Sequence, residues 1–158
     1  MREGSDLSRF TEAQERTFDT ALEEIRQGRK RSHWMWFIFP QLSGLGSSPT
    51  AAYYALSGTG EAEAFLADPY LGENLKRICG ALLELETDDP QEVFCCPDDL
   101  KLRSCLTLFS LVSPSPSLFD RLLEKFYDGQ KDERTLSLLA EREKGFNGET
   151  GCAILGNK

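Results

Sequence analysis

Pro97-Asp98-Asp99-Leu100-Lys101-Leu102-Arg103-Ser104-Cys105-Leu106-Thr107-Leu108-Phe109-Ser110-Leu111-Val112 is the stretch that decides the fold. Leu102, Cys105, Leu106 and Phe109 recur at three- and four-residue spacing and make one apolar face of a helix. Leu100, Leu108 and Leu111 fall toward the other side of the same wheel. A helix apolar nearly all round is enclosed by neighbours, so residues 97–112 read as a core helix. Its first turn differs. Pro97, Asp98 and Asp99 suit the positive end of a helix dipole. Asp99 and Arg103 have the spacing of an i,i+4 ion pair, worth roughly 0.2–0.5 kcal/mol when exposed. Lys101 and Arg103 on an otherwise buried helix require that this end open to water, find partners or meet a ligand.

On either side, the punctuation marks a succession of helices. Leu7 to Gln14 reads as a short helical stretch with Asp6 as N-cap. Phe18, Ala21, Leu22 and Ile25 recur at i, i+3, i+4 and i+7, and Gly28 ends that helix. Ser48-Pro49, Asp68-Pro69 and Asp89-Pro90 each supply a capping residue followed by a first-turn proline, which fixes a helix start from both sides. Leu118, Phe119, Leu122, Leu123 and Phe126 keep helical register up to Gly129, and Asp132 caps a last helix through Leu139. No segment alternates apolar and polar residues over strand length. The expectation is an all-α, compact single-domain bundle over residues 6–140, with about seven helices around the 97–112 core helix. From Glu141 the chain turns polar and glycine-rich. Residues 141–158 read as a mobile C-terminal tail, with Ala153-Ile154-Leu155 as the one segment suited to docking.

Size and charge narrow the function. A chain of 158 residues and 17.7 kDa fits one domain. Surface scaling buries roughly 69% of such a chain, enough for a core without staples. The longest apolar run, Trp34 to Phe39, is too short to span a bilayer, and no secretory signal pattern opens the sequence. A cytoplasmic protein with no membrane contact is therefore expected. The net charge of −8 argues against a nucleic-acid coat. Arg26, Arg29, Lys30 and Arg31 nevertheless place four of the 18 basic residues within six positions. A positive spot on an acidic body suits a small anion better than a polyanion. Five cysteines without framework spacing and a single histidine point to free thiols and no metal. No glycine-rich phosphate loop or nucleophile elbow is present, and no cofactor is implied.

The second informative stretch is Arg29-Lys30-Arg31-Ser32-His33-Trp34-Met35-Trp36-Phe37-Ile38-Phe39-Pro40-Gln41. Burying its aromatic half yields roughly 1.5–3 kcal/mol per side chain, so that half must enter the core. The basic half is then held at the rim. Aromatic backing with charged donors at the mouth is how a pocket wall is made, although ordinary core beside a solvated helix end has the same composition.

RKRSHWMWFIFPQ followed by Gly44-Leu45-Gly46, then PDDLKLRS and Thr107-Leu108-Phe109, resembles the uncharacterised family known as domain of unknown function 1810. Asp6 to Phe10 (DLSRF) and Lys125 to Gly129 (KFYDG) fit it too, so the resemblance spans about residues 6–140. It implies a compact all-helical domain and carries no biochemical activity. Cys95-Cys96 departs from the small residue expected after Phe94.

Two classes of function fit these residues. In the first, the two stretches meet in a pocket for a small phosphate-bearing ligand, a nucleotide or an ADP-ribose-like molecule. Arg29, Arg31, Lys101 and Arg103 would hold phosphates, Trp34 or Trp36 would stack a base, and Ser32, Gln41 and Ser104 would add polar contacts. Asp98 or Asp99 would take a ribose hydroxyl, or orient His33 as general acid or base in a hydrolytic version. In the second, the protein is a non-catalytic interaction domain with Trp34 or Phe37 exposed as an anchor.

Overall fold

Residues 6–149 are described in a computed structural model of the chain, and among them the chain forms nine helices and no strand beyond one isolated bridge. In chain order these are α1 (Ser8–Arg26), α2 (Met35–Ile38), α3 (Pro49–Tyr54), α4 (Thr59–Ala67), α5 (Leu71–Glu84), α6 (Pro90–Phe94), α7 (Asp98–Leu111), α8 (Leu118–Tyr127) and α9 (Glu133–Glu149). The all-α class is therefore as expected, with short helices added to the anticipated set.

α7 is the central helix. It packs against α4, α6, α8 and α9. Leu102, Cys105, Leu106, Leu108 and Phe109 are fully buried. Leu100 and Leu111 are not; they are 52% and 45% exposed. Eleven residues is close to three full turns, so the two share one stripe that faces outward. Around this axis, α5 packs on α1, α4 and α8, and α1 also covers α2. Leu42 and Leu56 form the bridge that joins the segments flanking α3.

Most helix starts are built as the sequence specifies. Ser48 Oγ accepts from the Ala51 N–H before α3, and Asp89 Oδ1 accepts from Gln91 before α6. Asp68 Oδ1 accepts from both Tyr70 and Leu71 before α5. Ser117 and Asp120 close a reciprocal capping box at α8.

Three expectations need correction. The two stretches read as separate helices before Gly28 are one, α1, and Leu7 rather than Asp6 holds its cap position. The register never breaks, because Gln14 continues the apolar stripe as a buried polar residue. Its Nε2 donates to the Phe37 carbonyl at 2.8 Å, and its Oε1 accepts from Asn74 at 3.0 Å. The helix expected to stop at Leu139 runs on to Glu149. Arg142, expected in the tail, donates to the carbonyls of Ser43 and Ser57 at 2.7 and 3.0 Å. Residues 150–158, with Cys152 and Ala153-Ile154-Leu155, lie outside the described residues. No described helix is long and apolar enough to cross a membrane.

Candidate functional site

The basic stretch is organised by Glu24, a residue on the buried face of α1. Its Oε1 accepts from the backbone N–H of Arg31 at 2.7 Å, from that of Ser32 at 3.0 Å and from the Trp34 indole at 2.8 Å. Its Oε2 accepts from the Ser32 hydroxyl. Burial pushes the Glu24 carboxyl up, but the Ser32 hydroxyl, the two backbone donors and the indole outweigh it and bring the pKa down to about 2. Chain reversal after α1 is thereby locked, and the aromatic run is aimed inward. Trp34, Met35, Phe37, Ile38 and Phe39 are all buried, as expected for the apolar half.

The two stretches meet. Lys30 Nζ lies 2.9 Å from Asp98 Oδ2, and Lys101 Nζ lies 3.4 Å from Asp98 Oδ1. Lys101 also sits over the Trp36 ring, 5.6 Å from its centroid. One carboxylate thus bridges two ammonium groups at the start of α7, where Asp99 adds a second, buried carboxylate.

Beside this trio runs an open groove of about 280 Å³. One wall is the loop after α2, with Gln41, Leu45 and Gly46. The other is the first half of α7, with Pro97, Leu100, Lys101 and Ser104. The start of α9 closes one side with Asp132 and Arg134. The loop wall is firmly placed. Leu56 bonds to both neighbours of Leu42 across the bridge, its carbonyl accepting from the Ser43 N–H at 2.8 Å and its N–H donating to the Gln41 carbonyl at 2.9 Å. Arg134 and Arg142 hold the carbonyls of Gly44 and Ser43. Gly46 approaches α3 so closely that an added Cβ would lie 2.6 Å from the Ala51 Cβ.

Asp132 ties α9 to α7. Its Oδ2 accepts from Ser104 Oγ at 3.0 Å and from the Thr135 N–H at 3.0 Å, and also from the Thr135 hydroxyl. Its own N–H donates to Thr107 Oγ1 at 2.8 Å. The N-cap role expected of Asp132 is therefore present. Oδ1 has no partner among the described residues. Among the lining residues, Lys101 and Arg134 stand against Asp132, an excess of one positive charge, and the starts of two long helices, α7 and α9, border the groove.

Of the residues singled out from sequence, Gln41, Lys101 and Ser104 line the groove, with Trp36 half-buried beneath Lys101 and Asp98 at the rim. The others do not join them. Trp34 is fully buried with its indole N–H committed to Glu24, so it cannot stack a base, and Phe37 is buried too, which removes the expected exposed anchor. The Ser32 hydroxyl is spent on Glu24. Arg29 is exposed, and Arg31 is exposed with Nη1 donating to Gln27 at 2.6 Å. His33 is exposed, with no hydrogen bond to Asp98 or Asp99. Arg103 projects from another side of α7, two residues on from Lys101. It donates to the Lys131 carbonyl at 3.2 Å and lies over the Tyr127 ring. The expected Asp99–Arg103 pair is consequently not made. Asp99 is buried, its backbone carbonyl accepts from the Tyr127 hydroxyl, and Asp99 Oδ1 and Arg103 Nε have no hydrogen-bond partner. Burial, reinforced by the Asp99 charge, pushes the Tyr127 phenol up.

Sequence reasoning missed Arg134 as a lining residue and Glu24 as the organiser. Glu24 had a signal: it lies three residues after Ala21, on the apolar face of an amphipathic helix. A second open cavity, about 320 Å³, lies beside α8, but its Asp120 and Glu124 balance Arg121 and Lys131. Among the described residues no group of three or more His, Cys, Asp or Glu is gathered to hold a metal ion.

Fold and geometry together define an all-α domain with an open, cation-rich groove where α7 and α9 begin. The chain belongs to the family described as protein of unknown function DUF1810, whose model matches residues 4–139. It is similar in structure to the conserved hypothetical protein Rv1873 from Mycobacterium tuberculosis, with 47% sequence identity and a TM-score of 0.83, covering 85% of this chain and 96% of that one. No curated protein matches the sequence.

Proposed function

We propose that the groove binds a small phosphate-bearing ligand of the nucleotide or ADP-ribose type, held by Lys101 and Arg134. The observation that carries this reading is the lining of the groove, where Lys101 and Arg134 face a single carboxylate, Asp132. Arg134 faces the groove from α9 with only one donor engaged, to the Gly44 carbonyl at 3.3 Å. A guanidinium has five donors, so most of its fork is free for phosphate oxygens. The reading is one of binding rather than hydrolysis. The hydrolytic version needs an oriented imidazole, and neither Asp98 nor Asp99 is hydrogen-bonded to His33.

Thermal unfolding with inorganic phosphate, AMP and ADP-ribose tests it. A ligand at about 100 times its dissociation constant adds roughly 2.7 kcal/mol, which for a chain of this length raises the midpoint by about 5–10 °C. Lys101→Ala and Arg134→Ala should each remove most of the shift, and His33→Ala should keep it. Absence of a shift with all three compounds refutes the proposal.

A further inference from the structure

We infer that the groove is selective for a phosphorylated sugar of ribose 5-phosphate size, and that Asp132 is the residue that reads its hydroxyl groups. The inference rests on the phosphate reading above and adds the second half of the ligand. Asp132 has an unusual division of labour between its two oxygens. Oδ2 is fixed by three donors, Ser104 Oγ, Thr135 N–H and the Thr135 hydroxyl, so the carboxylate cannot turn. Oδ1 is left without a partner on a side chain that lines the groove. A helix cap needs one oxygen, and the second is surplus to it.

An ionised carboxylate only accepts hydrogen bonds. In a groove whose cations attract phosphate, a fixed carboxylate disfavours a bare anion beside it and favours a ligand that presents O–H donors next to its phosphate. A sugar phosphate has that arrangement: a dianionic end for Lys101 and Arg134, and hydroxyl groups for Asp132 Oδ1. Leu45 and Leu100 supply apolar flanks for the ring carbons.

Calorimetric titration with inorganic phosphate, methyl phosphate and ribose 5-phosphate separates the two claims. The wild-type protein should bind ribose 5-phosphate about ten- to hundredfold more tightly than methyl phosphate, the ratio expected of a hydrogen bond to a charged group. Asp132→Ser keeps a good cap but spends its single oxygen there. It should bring the two organic phosphates to within about threefold of each other, whatever their absolute affinities. Equal binding of both by the wild type overturns the inference and leaves the phosphate reading standing. So does a preference that survives in Asp132→Ser. Failure of all three phosphates to bind overturns both. The wild-type ratio needs no variant, so it decides the matter even if Asp132→Ser unfolds.

Discussion

Replacing Glu24 by glutamine should destabilise the domain by about 3 kcal/mol at neutral pH, and the loss should fade in acid. The magnitude comes from linkage. A carboxyl ordinarily near 4.5 that falls to about 2 in the folded protein contributes about 1.36 kcal/mol for each unit of difference, or about 3 kcal/mol when fully ionised. The sign follows from the direction. A folded value below the unfolded one favours folding wherever the group is ionised, so the contribution is complete above about pH 5. It falls to about half near pH 3 and is nearly gone below pH 2. Hydrogen-bond accounting places the loss in charge rather than in unpaired donors. A glutamine carbonyl at the Oε1 position still accepts from Arg31, Ser32 and the Trp34 indole, and its NH₂ can donate to the Ser32 hydroxyl, so charge-assisted bonds are exchanged for weaker neutral ones.

The assay is urea unfolding of wild type and Glu24→Gln at pH 7 and pH 3, followed by the difference between them. Other carboxyl groups titrate in both proteins and cancel. At pH 7 the gap should lower the thermal midpoint by about 6–12 °C, and at pH 3 it should shrink by about half. A gap of equal size at both pH values would show that Glu24 acts by packing alone and refute the reasoning.

Asp98→Asn removes the carboxylate shared by Lys30 and Lys101, which are largely shielded from solvent. Urea unfolding should show a loss of about 1–3 kcal/mol, while calorimetry shows phosphate binding strengthened by the added positive charge. A variant that weakens both would reduce Asp98 to a structural role. Gly46→Ala forces a Cβ to within 2.6 Å of the Ala51 Cβ, so the loop wall must move. Thermal unfolding should register a loss of about 1–3 kcal/mol, with groove affinity falling in parallel; an unchanged midpoint would mean that the wall yields freely.

The fold was legible because its signals are local. Proline after serine or aspartate announces α3, α5 and α6, and an apolar repeat on every side announces α7. Sequence divides α1 in two because Gln14 stands where an apolar residue would continue the stripe, and its partners, Phe37 O and Asn74, are 23 and 60 residues away. α4 leaves little trace in the sequence because its small residues, with Gly60 and three alanines, make a helix without a marked apolar face. The candidate site was half legible. Lys101 and Asp98 announce themselves as charges on a buried helix. Trp34 is not legible in this way, since an indole at the edge of a basic run reads alike whether its N–H meets a ligand or a carboxylate ten residues back.

Glu24 and Asp132 solve the same problem at opposite ends of the site. Each is a carboxylate that accepts from backbone N–H groups lacking an acceptor within a helix or strand. Glu24 takes the N–H groups of Arg31 and Ser32 as the chain turns out of α1. Asp132 takes the first turn of α9 and binds it to Ser104 on α7. The consequence for Lys30, Lys101 and Arg134 is that their positions are set before any ligand arrives. Lys30 leaves a loop that Glu24 has locked, Lys101 stands on the central helix, and Arg134 follows two residues after an anchored cap. Ordering of long charged side chains and loops is a principal cost of binding. A groove whose frame is already ordered needs only the cationic heads to settle, so a small anion with few contacts can still bind with useful affinity. The two carboxylates differ in one respect that matters for specificity. Both Glu24 oxygens are engaged by the loop it holds, whereas Asp132 keeps Oδ1 without a partner on a side chain that lines the groove, and selectivity should therefore reside at the start of α9 rather than in the basic stretch that first draws the eye.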